Sequence, residues 1–200
     1  MMKKKDNTVV IIDYGAGNIR SIQFALERLG YHGRLSNSPE EIRSAEKVIF
    51  PGVGEAGSAM SKLRATGLDL IIPQLRQPVL GICLGMQLMC TGSEEGDTLG
   101  LDIFNVPVLR FSSKGVKVPQ IGWNEIYDLK SEIFQNIPEK DYVYMVHSYY
   151  VPECPESIAK TDYRITYSSA LQKENFYGLQ FHPEKSGGTG ERILKNFLKI

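Results

Sequence analysis

The feature that most constrains the fold is a short apolar run that ends in a cysteine flanked by glycines. Residues 78–80 (Pro-Val-Leu) lead into Gly81-Ile82-Cys83-Leu84-Gly85, and a helical pattern follows over 86–90. A strand that turns sharply into a helix at Gly-x-Cys-x-Gly is typical of a nucleophile elbow, because the glycines let the backbone turn and leave the middle side chain exposed. A thiol at a helix N-terminus is favoured as the thiolate. The segment therefore predicts a cysteine nucleophile at the end of a buried strand.

Strand and helix patterns alternate along the first half of the chain. Unbroken apolar runs predict strands buried on both faces at 8–13, 47–50 and 79–83. Helical patterns lie between them, at 18–29, from 38 onward, at 59–63 and at 68–75. The second half has short β-rich runs, a hairpin tip at 173–175 and a final helix at 190–198. We therefore predict one α/β domain over 1–200, with a mostly parallel central sheet flanked by helices and β-hairpin additions in the second half.

Composition excludes several classes of function. Lys and Arg together equal Asp and Glu, at 23 each, so there is no basic excess for nucleic acid or a membrane surface. No apolar stretch is long enough to span a membrane, and the start of the chain is too short in apolar residues for a signal peptide. Three cysteines indicate a reducing, cytoplasmic setting, with Cys90 in the helix after Cys83 and in the core. No cysteine and histidine spacing suits zinc, so we expect neither a metal nor a cofactor.

A cysteine nucleophile needs a base and a group that orients the base. His182 lies in Gln180-Phe181-His182-Pro183-Glu184. The proline favours an extended backbone at His182, so the side chains of His182 and Glu184 should point to the same side. We therefore predict a triad of Cys83, His182 and Glu184, with reaction rates that fall at acidic pH as His182 titrates.

Two backbone segments could supply the N–H groups of an oxyanion hole. One is the N–H of Leu84, directly after the nucleophile. The other is Pro51-Gly52-Val53-Gly54, which follows the strand at 47–50 and should lie at the same edge of the sheet. Its glycines indicate backbone that approaches a ligand or changes conformation, although a simple tight turn is the alternative.

Two further features carry weaker signals. Residues 15–20 (Gly-Ala-Gly-Asn-Ile-Arg) have Arg20 where the third glycine of a dinucleotide fingerprint belongs, so we expect no such cofactor there. A phosphate or a partner could still contact that helix N-terminus. His147 ends a predicted strand, where it either lines a pocket or is a structural histidine.

Taken together, the elbow and the Gln-Phe-His-Pro-Glu segment resemble the class I, triad-type glutamine amidotransferases, which release ammonia from glutamine through a cysteinyl thioester. Further segments are similar to those of the glutaminase subunits of imidazole glycerol phosphate synthases: residues 12–18, 51–54, 118–124, 146–149 and 182–186. The resemblance runs from about Thr8 to the C-terminus. It implies the three-layer, flavodoxin-like fold of that family. It also implies a heterodimer with a cyclase subunit that is a (β/α)8 barrel and uses the ammonia to make imidazole glycerol phosphate and AICAR in histidine biosynthesis.

The resemblance also implies a role for each matching position. Cys83 would be the nucleophile, His182 the base and then the acid, and Glu184 the group that orients His182. The N–H groups of Val53 and Leu84 would form the oxyanion hole, with the Gly52-Val53 peptide reorienting on activation. The positions that would hold L-glutamine are Gly52, Gln87, Glu95, Ser148 and Tyr149. The positions that would face the cyclase are Trp123, Tyr144 and Lys185.

One segment departs from the family pattern. Residues 118–124 often carry His and Met at the two positions where this chain has Gln120 and Ile121, and both are expected to face the partner. The difference leaves the chemistry unchanged but keeps a second pathway open, in which a homologous subunit supplies ammonia in surface-sugar biosynthesis. A stand-alone cysteine hydrolase shares the elbow but usually lacks the His-Pro-Glu pair, and a non-catalytic binding module is the remaining alternative.

Overall fold

The computed structural model describes residues 8–15 and 17–200, so the charged start of the chain that we examined for a signal peptide, and Ala16, lie outside the described residues. The elements of the first half are β1 Thr8–Ile12, α1 Ile19–Arg28, β2 His32–Ser36, α2 Pro39–Ser44, β3 Val48–Gly52, α3 Ala56–Thr66, α4 Leu68–Ile71, β4 Val79–Cys83 and α5 Leu84–Leu88. Those of the second half are β5 Cys90–Ser93, β6 Thr98–Leu99, β7 Phe104–Arg110, β8 Gln120–Ile126, β9 Asp141–His147, β10 Tyr149–Tyr150, β11 Ser157–Tyr163, β12 Ile165–Lys173, β13 Phe176–Leu179 and α6 Gly187–Phe197. Single 3-10 turns occur at Ile72–Gln74, Glu132–Phe134 and Pro183–Lys185.

Seven strands form the central sheet, in the order β11-β12-β13-β4-β3-β1-β2. The five strands from β13 to β2 are parallel, and β12 and β11 add to them antiparallel. The parallel part has the strand order of flavodoxin-like doubly wound sheets. The hairpin between β12 and β13 turns at residues 174 and 175, as predicted.

Both faces of the central sheet are covered. In β1, Val10 and Ile12 join an apolar cluster with α3 and α5, whereas Val9 and Ile11 join a second cluster with α1 and α6. Every residue of such a strand meets apolar surface, which is why it forms an unbroken apolar run in the sequence. The predicted α/β class with a mostly parallel, helix-flanked sheet is confirmed.

The β-rich second half supplies two small additional sheets. One has the order β10-β7-β5-β6, and the other pairs β8 with β9 antiparallel, with Trp123 opposite Tyr144. Both place residues near the end of β4, so the additions predicted for this half of the chain contribute to the surroundings of Cys83. No helix within residues 8–15 and 17–200 is long and apolar enough to cross a membrane.

The predicted position of Cys90 in the helix after Cys83 is wrong, although its burial is as expected. Helix α5 ends at Leu88, and Cys90 is the fully buried first residue of β5. The carbonyl of Met89 accepts the N–H groups of Ile103 and Phe104, and Cys90 pairs with Phe104. Pairing with residues distant in sequence therefore ends the helix, and the local pattern carries no sign of it.

Candidate active site

The elbow at Cys83 is strained in the way that a nucleophile turn requires. Cys83 has φ 54° and ψ −113°, a backbone conformation rarely adopted by a residue with a side chain. The glycines serve close packing rather than the turn itself: a Cβ on Gly85 would lie 2.0 Å from the carbonyl oxygen of Phe50, and one on Gly52 would lie 2.3 Å from the nitrogen of Gly85. The start of α5 thus packs directly on the end of β3.

The predicted triad residues lie together at the carboxyl edge of the sheet. His182 Nδ1 and Glu184 Oε1 are 2.8 Å apart, and both side chains are almost fully buried. The same Glu184 oxygen accepts a hydrogen bond of 2.6 Å from Asn18 Nδ2. Among the described residues, Glu184 Oε2 has no hydrogen-bond partner. The buried carboxylate is therefore held at one oxygen, by one neutral donor and by the imidazole.

The extended backbone predicted for this segment is wrong beyond His182. Glu184 lies in the 3-10 turn Pro183–Lys185, where Lys185 N donates to His182 O at 3.0 Å. The turn brings the carboxylate back toward the imidazole, so the predicted contact forms by a different local route. Residues two apart meet here because the chain turns, not because it is extended.

The surroundings of His182 favour its charged form. Burial lowers the pKa of His182, but hydrogen bonds and charge from Cys83 and Glu184 outweigh burial and raise it to about 10. The imidazole is then protonated at neutral pH, beside a thiolate on one side and a carboxylate on the other. This is the arrangement of a preformed cysteine–histidine ion pair.

Two further groups contact the sulfur of Cys83. Its thiol donates toward Val146 O at 3.9 Å, and Gln180 Nε2 donates to the sulfur at 3.8 Å. Gln180 is fully buried and was not among the predicted site residues. The signal that would have found it is strand pairing: Leu179 lies opposite Ile82, so the next residue of each strand, Gln180 and Cys83, are neighbours.

A cavity of about 300 Å³ opens above Cys83 and His182. The other residues that line it are Val53, Gly54, Leu84, Gln87, Glu95, Pro119, Val146, His147, Ser148 and Tyr149. All the positions assigned to the oxyanion hole and to glutamine are therefore in its wall, except Gly52. Gly52 pairs with Cys83 in the sheet and packs behind the wall against Gly85. Within the described part of the chain, no three His, Cys, Asp or Glu side chains come together as metal ligands.

Two of the polar wall residues are held by backbone groups. Gln87 Nε2 donates to Tyr149 O at 3.1 Å. Glu95 accepts the N–H of Ala56, the first residue of α3, at 2.8 Å. Burial raises the pKa of Glu95, and the bond from Ala56 opposes that shift. These side chains are oriented before any ligand binds, which lowers the entropy cost of binding.

His147 is both a pocket residue and a structural one, so both alternatives from the sequence apply. Its Nδ1 donates to Tyr149 O at 2.7 Å and its Nε2 lies 3.2 Å from the hydroxyl of Tyr167. Burial lowers its pKa to about 4, so it is neutral at neutral pH.

The residues assigned to the partner form an exposed group next to the triad. Trp123 is 53% exposed and meets the ring of Tyr144 edge-on, and Lys185 is exposed in the turn beside them. The carbonyl of Tyr144 accepts the N–H of His182 at 3.1 Å. Strand β9 therefore connects this surface to the triad directly.

The expectation that Gln120 faces a partner is wrong. Gln120 is buried, with hydrogen bonds to Asn124 and to the hydroxyl of Tyr167. Strand alternation explains the difference, because its neighbour Ile121 is 55% exposed. The departure from the family pattern at Gln120 thus lies inside the protein, and only Ile121 is at the surface.

Comparison with known proteins agrees with this geometry. The model of the family "Glutamine amidotransferase class-I" matches residues 10–200. The imidazole glycerol phosphate synthase subunit HisH of Bacteroides thetaiotaomicron is 55% identical over 194 residues, which is 96% of this chain and 99% of that protein. The HisH subunit of Yersinia pseudotuberculosis is 44% identical over the same shares. A solved glutamine amidotransferase superposes with a TM-score of 0.74 at 17% identity, covering 95% of this chain and 97% of its own, and a putative GMP synthase protein from Thermoplasma acidophilum superposes with 0.73 at 20%, covering 96% and 92%.

An α/β fold with a cysteine elbow and a buried His–Glu pair at the sheet edge defines a triad-type amidohydrolase. The chain belongs to the class-I glutamine amidotransferase family. Within that family it groups with the HisH subunits, the glutaminase subunits of imidazole glycerol phosphate synthase in histidine biosynthesis.

Proposed function

We propose that this protein, acting as one domain over 1–200 in the cytoplasm, hydrolyses L-glutamine at Cys83 and delivers the ammonia to a cyclase subunit with a (β/α)8 barrel. The observation that carries the proposal is the continuous chain from Cys83 through His182 to Glu184 below a cavity of about 300 Å³. Similarity to HisH subunits supports the histidine pathway over a surface-sugar pathway.

In the proposed reaction, the Cys83 thiolate attacks the side-chain carboxamide carbon of glutamine. The resulting oxyanion receives hydrogen bonds from the N–H groups of Leu84 and Val53. His182, already protonated, gives its proton to the leaving nitrogen, so ammonia departs and a thioester remains. His182 then takes a proton from water, which attacks the thioester carbon and releases glutamate and the thiolate. Glu184 stays ionised and stabilises the imidazolium.

The positions proposed to hold the substrate surround that reaction. Gln87, Glu95, Ser148 and Tyr149 line the cavity beyond Cys83. A carboxylate such as Glu95 suits the ammonium group of glutamine, and backbone groups of 148–149 suit its carboxylate. Gly52 acts through its peptide with Val53, which reorients on activation and completes the oxyanion hole.

The proposed partner surface consists of Trp123, Tyr144 and Lys185. A half-exposed tryptophan packed on a tyrosine, with a cation beside it, has the composition of an interface centre. The hydrogen bond from His182 N to Tyr144 O gives a bound partner a direct mechanical link to the triad. A heterodimer at this surface would couple glutamine hydrolysis to use of the ammonia.

The test is glutamate release measured with and without the cyclase and its phosphorylated substrate. We expect low release alone, a large increase with both, and none from Cys83→Ala under either condition. Full turnover by the isolated protein, or activity of Cys83→Ala, would contradict the proposal.

The partner surface is tested separately by Trp123→Ala. Phe24→Ala is the matched control, because Phe24 is an equally exposed aromatic on α1 (54% against 53%) that is not among the proposed partner positions. We expect Trp123→Ala to weaken binding to the cyclase at least tenfold and Phe24→Ala to bind as the wild type does. Equal affinities for the two variants would place the interface elsewhere.

A further inference from the structure

Gln180 is a buried amide that contacts the sulfur of the elbow. It is 0% exposed, and its Nε2 donates to Cys83 Sγ at 3.8 Å. Its other end, Oε1, accepts a hydrogen bond of 2.9 Å from Gln87 Nε2. The amide therefore bridges the nucleophile and a wall residue of the cavity.

The orientation of this amide follows from the backbone. A Gln side chain can be turned over to exchange its oxygen and nitrogen, and only its hydrogen-bond partners decide between the two orientations. Tyr149 O is an acceptor that cannot be exchanged, so the group of Gln87 that faces it must be the NH2. That NH2 also faces Gln180, which must then present its oxygen to Gln87 and its NH2 to Cys83.

The two contacts of the sulfur favour opposite protonation states. Val146 O, at 3.9 Å, is an acceptor and is satisfied only by a neutral thiol. Gln180 Nε2 is a donor, and a donor binds an anion more strongly than it binds a neutral sulfur. The amide therefore opposes the carbonyl.

We propose that Gln180 is a further residue of the catalytic centre, which stabilises the Cys83 thiolate through its amide N–H and is held in the required orientation by Gln87. The proposal rests on the nucleophilic role proposed above for Cys83. Because Gln87 lines the cavity, a bound glutamine that contacts Gln87 is two hydrogen bonds from the sulfur.

The titratable groups around the sulfur are few. His182 lies on one side and carries Glu184 behind it. Tyr14, from the end of β1, lies close enough that Cys83, after burial, raises its pKa, and its hydroxyl donates to Pro51 O. His147 and Glu95 lie farther along the cavity wall. A change at Gln180 that leaves these groups in place reports on the amide itself.

The experiment is the pH dependence of alkylation of the intact protein by iodoacetamide, followed at Cys83 by peptide mass spectrometry. Gln180→Met keeps the size of the side chain and removes the donor. Gln180→Glu keeps an oxygen for Gln87 and places a carboxylate beside the sulfur. We expect the pH midpoint to rise by about one unit in Gln180→Met, which is a roughly tenfold slower reaction at neutral pH, and by more in Gln180→Glu.

Controls are built into the chain. Cys154, half buried and away from the cavity, is read in the same digest and should keep its midpoint. Gln172→Met removes a partly buried amide of the same hairpin that bonds Tyr177 instead of sulfur, and should react at Cys83 as the wild type does. Gln87→Met frees Gln180 to turn over and should shift the midpoint in the same direction by less.

An unchanged Cys83 midpoint in folded Gln180→Met and Gln180→Glu overturns the proposal. If Gln180→Met fails to fold, as judged by thermal unfolding, Gln180→Glu and Gln87→Met decide the question in the same way. Failure here is distinct from failure of the proposed function, which would appear as glutaminase activity retained by Cys83→Ala.

Discussion

Asn18 and Glu184 are joined by a hydrogen bond of 2.6 Å across 166 positions of sequence. Asn18 directly precedes α1 in a left-handed conformation, with φ 64°. Its amide reaches the same carboxylate oxygen that bonds His182. The loop after β1 therefore supports the triad, in addition to any contact it makes with a ligand or partner.

Asn18→Gly should lower kcat for glutamine hydrolysis roughly tenfold with little change in KM, because a charge-assisted hydrogen bond that orients Glu184 is lost. Glycine is the informative replacement, since it accepts the positive φ at no cost and removes only the amide. Steady-state kinetics in the presence of the cyclase provide the measurement. Asn136→Gly is the control, because Asn136 is exposed with φ 60°. Matching kcat values for Asn18→Gly and wild type would mean that His182 alone positions the carboxylate.

The raised pKa of His182 changes the pH dependence expected from the sequence. An unperturbed histidine would make reactivity fall near pH 6.5, but with a pKa of about 10 His182 stays protonated from pH 6 to 8. Alkylation of Cys83 by iodoacetamide should then be flat over that range. Glu184→Gln removes a charge that raises the His182 pKa, so its alkylation should slow as the pH falls from 8 to 6. A wild-type inflection near pH 6.5 would contradict the preformed ion pair.

His147 should make the fold sensitive to acid. Burial holds its pKa near 4, whereas the unfolded chain takes up the proton near pH 6.5, so the stability it contributes is present above pH 6.5 and lost as the pH falls toward 4. His147→Asn keeps a donor for Tyr149 O and should lose about 2 kcal/mol less stability than the wild type between pH 7 and 4.5. Urea unfolding at several pH values measures this. Identical acid sensitivity in the two proteins would remove His147 as the cause. His32→Asn, at an exposed site, should follow the wild type.

Gly85→Ala should destabilise the fold by about 2–3 kcal/mol, since its Cβ would meet the carbonyl of Phe50 at 2.0 Å and the backbone of β3 would have to move. Gly188→Ala is the control: it lies in α6 with no atom within 4 Å of an added Cβ, and should be neutral or stabilising by up to about 1 kcal/mol. The free energy of unfolding in urea compares them. A Gly85→Ala variant as stable as the wild type would show that the elbow can relax away from β3.

Much of the central sheet could be predicted from the sequence because its strands are buried on both faces. β1, β3 and β4 appear as unbroken apolar runs, and β4 matches its predicted range, 79–83. β2 was missed, since it is an edge strand with three exposed residues in five. β11 was missed as well, because its pattern includes polar residues that are buried through hydrogen bonds, such as Thr161 to Glu125 O.

The sequence by itself determined the class of fold, the family and the identity of the three residues proposed as the triad. These depend on local features: a glycine-flanked cysteine after an apolar run, and a histidine two positions before a glutamate. Only the tertiary structure decided that Glu184 meets His182 through a 3-10 turn, that Gln120 is buried, and that Asn18 and Gln180 contact the triad. The physical reason is that hydrogen-bond partners of buried polar groups come from strands and loops distant in sequence, and no local pattern records which strands become neighbours.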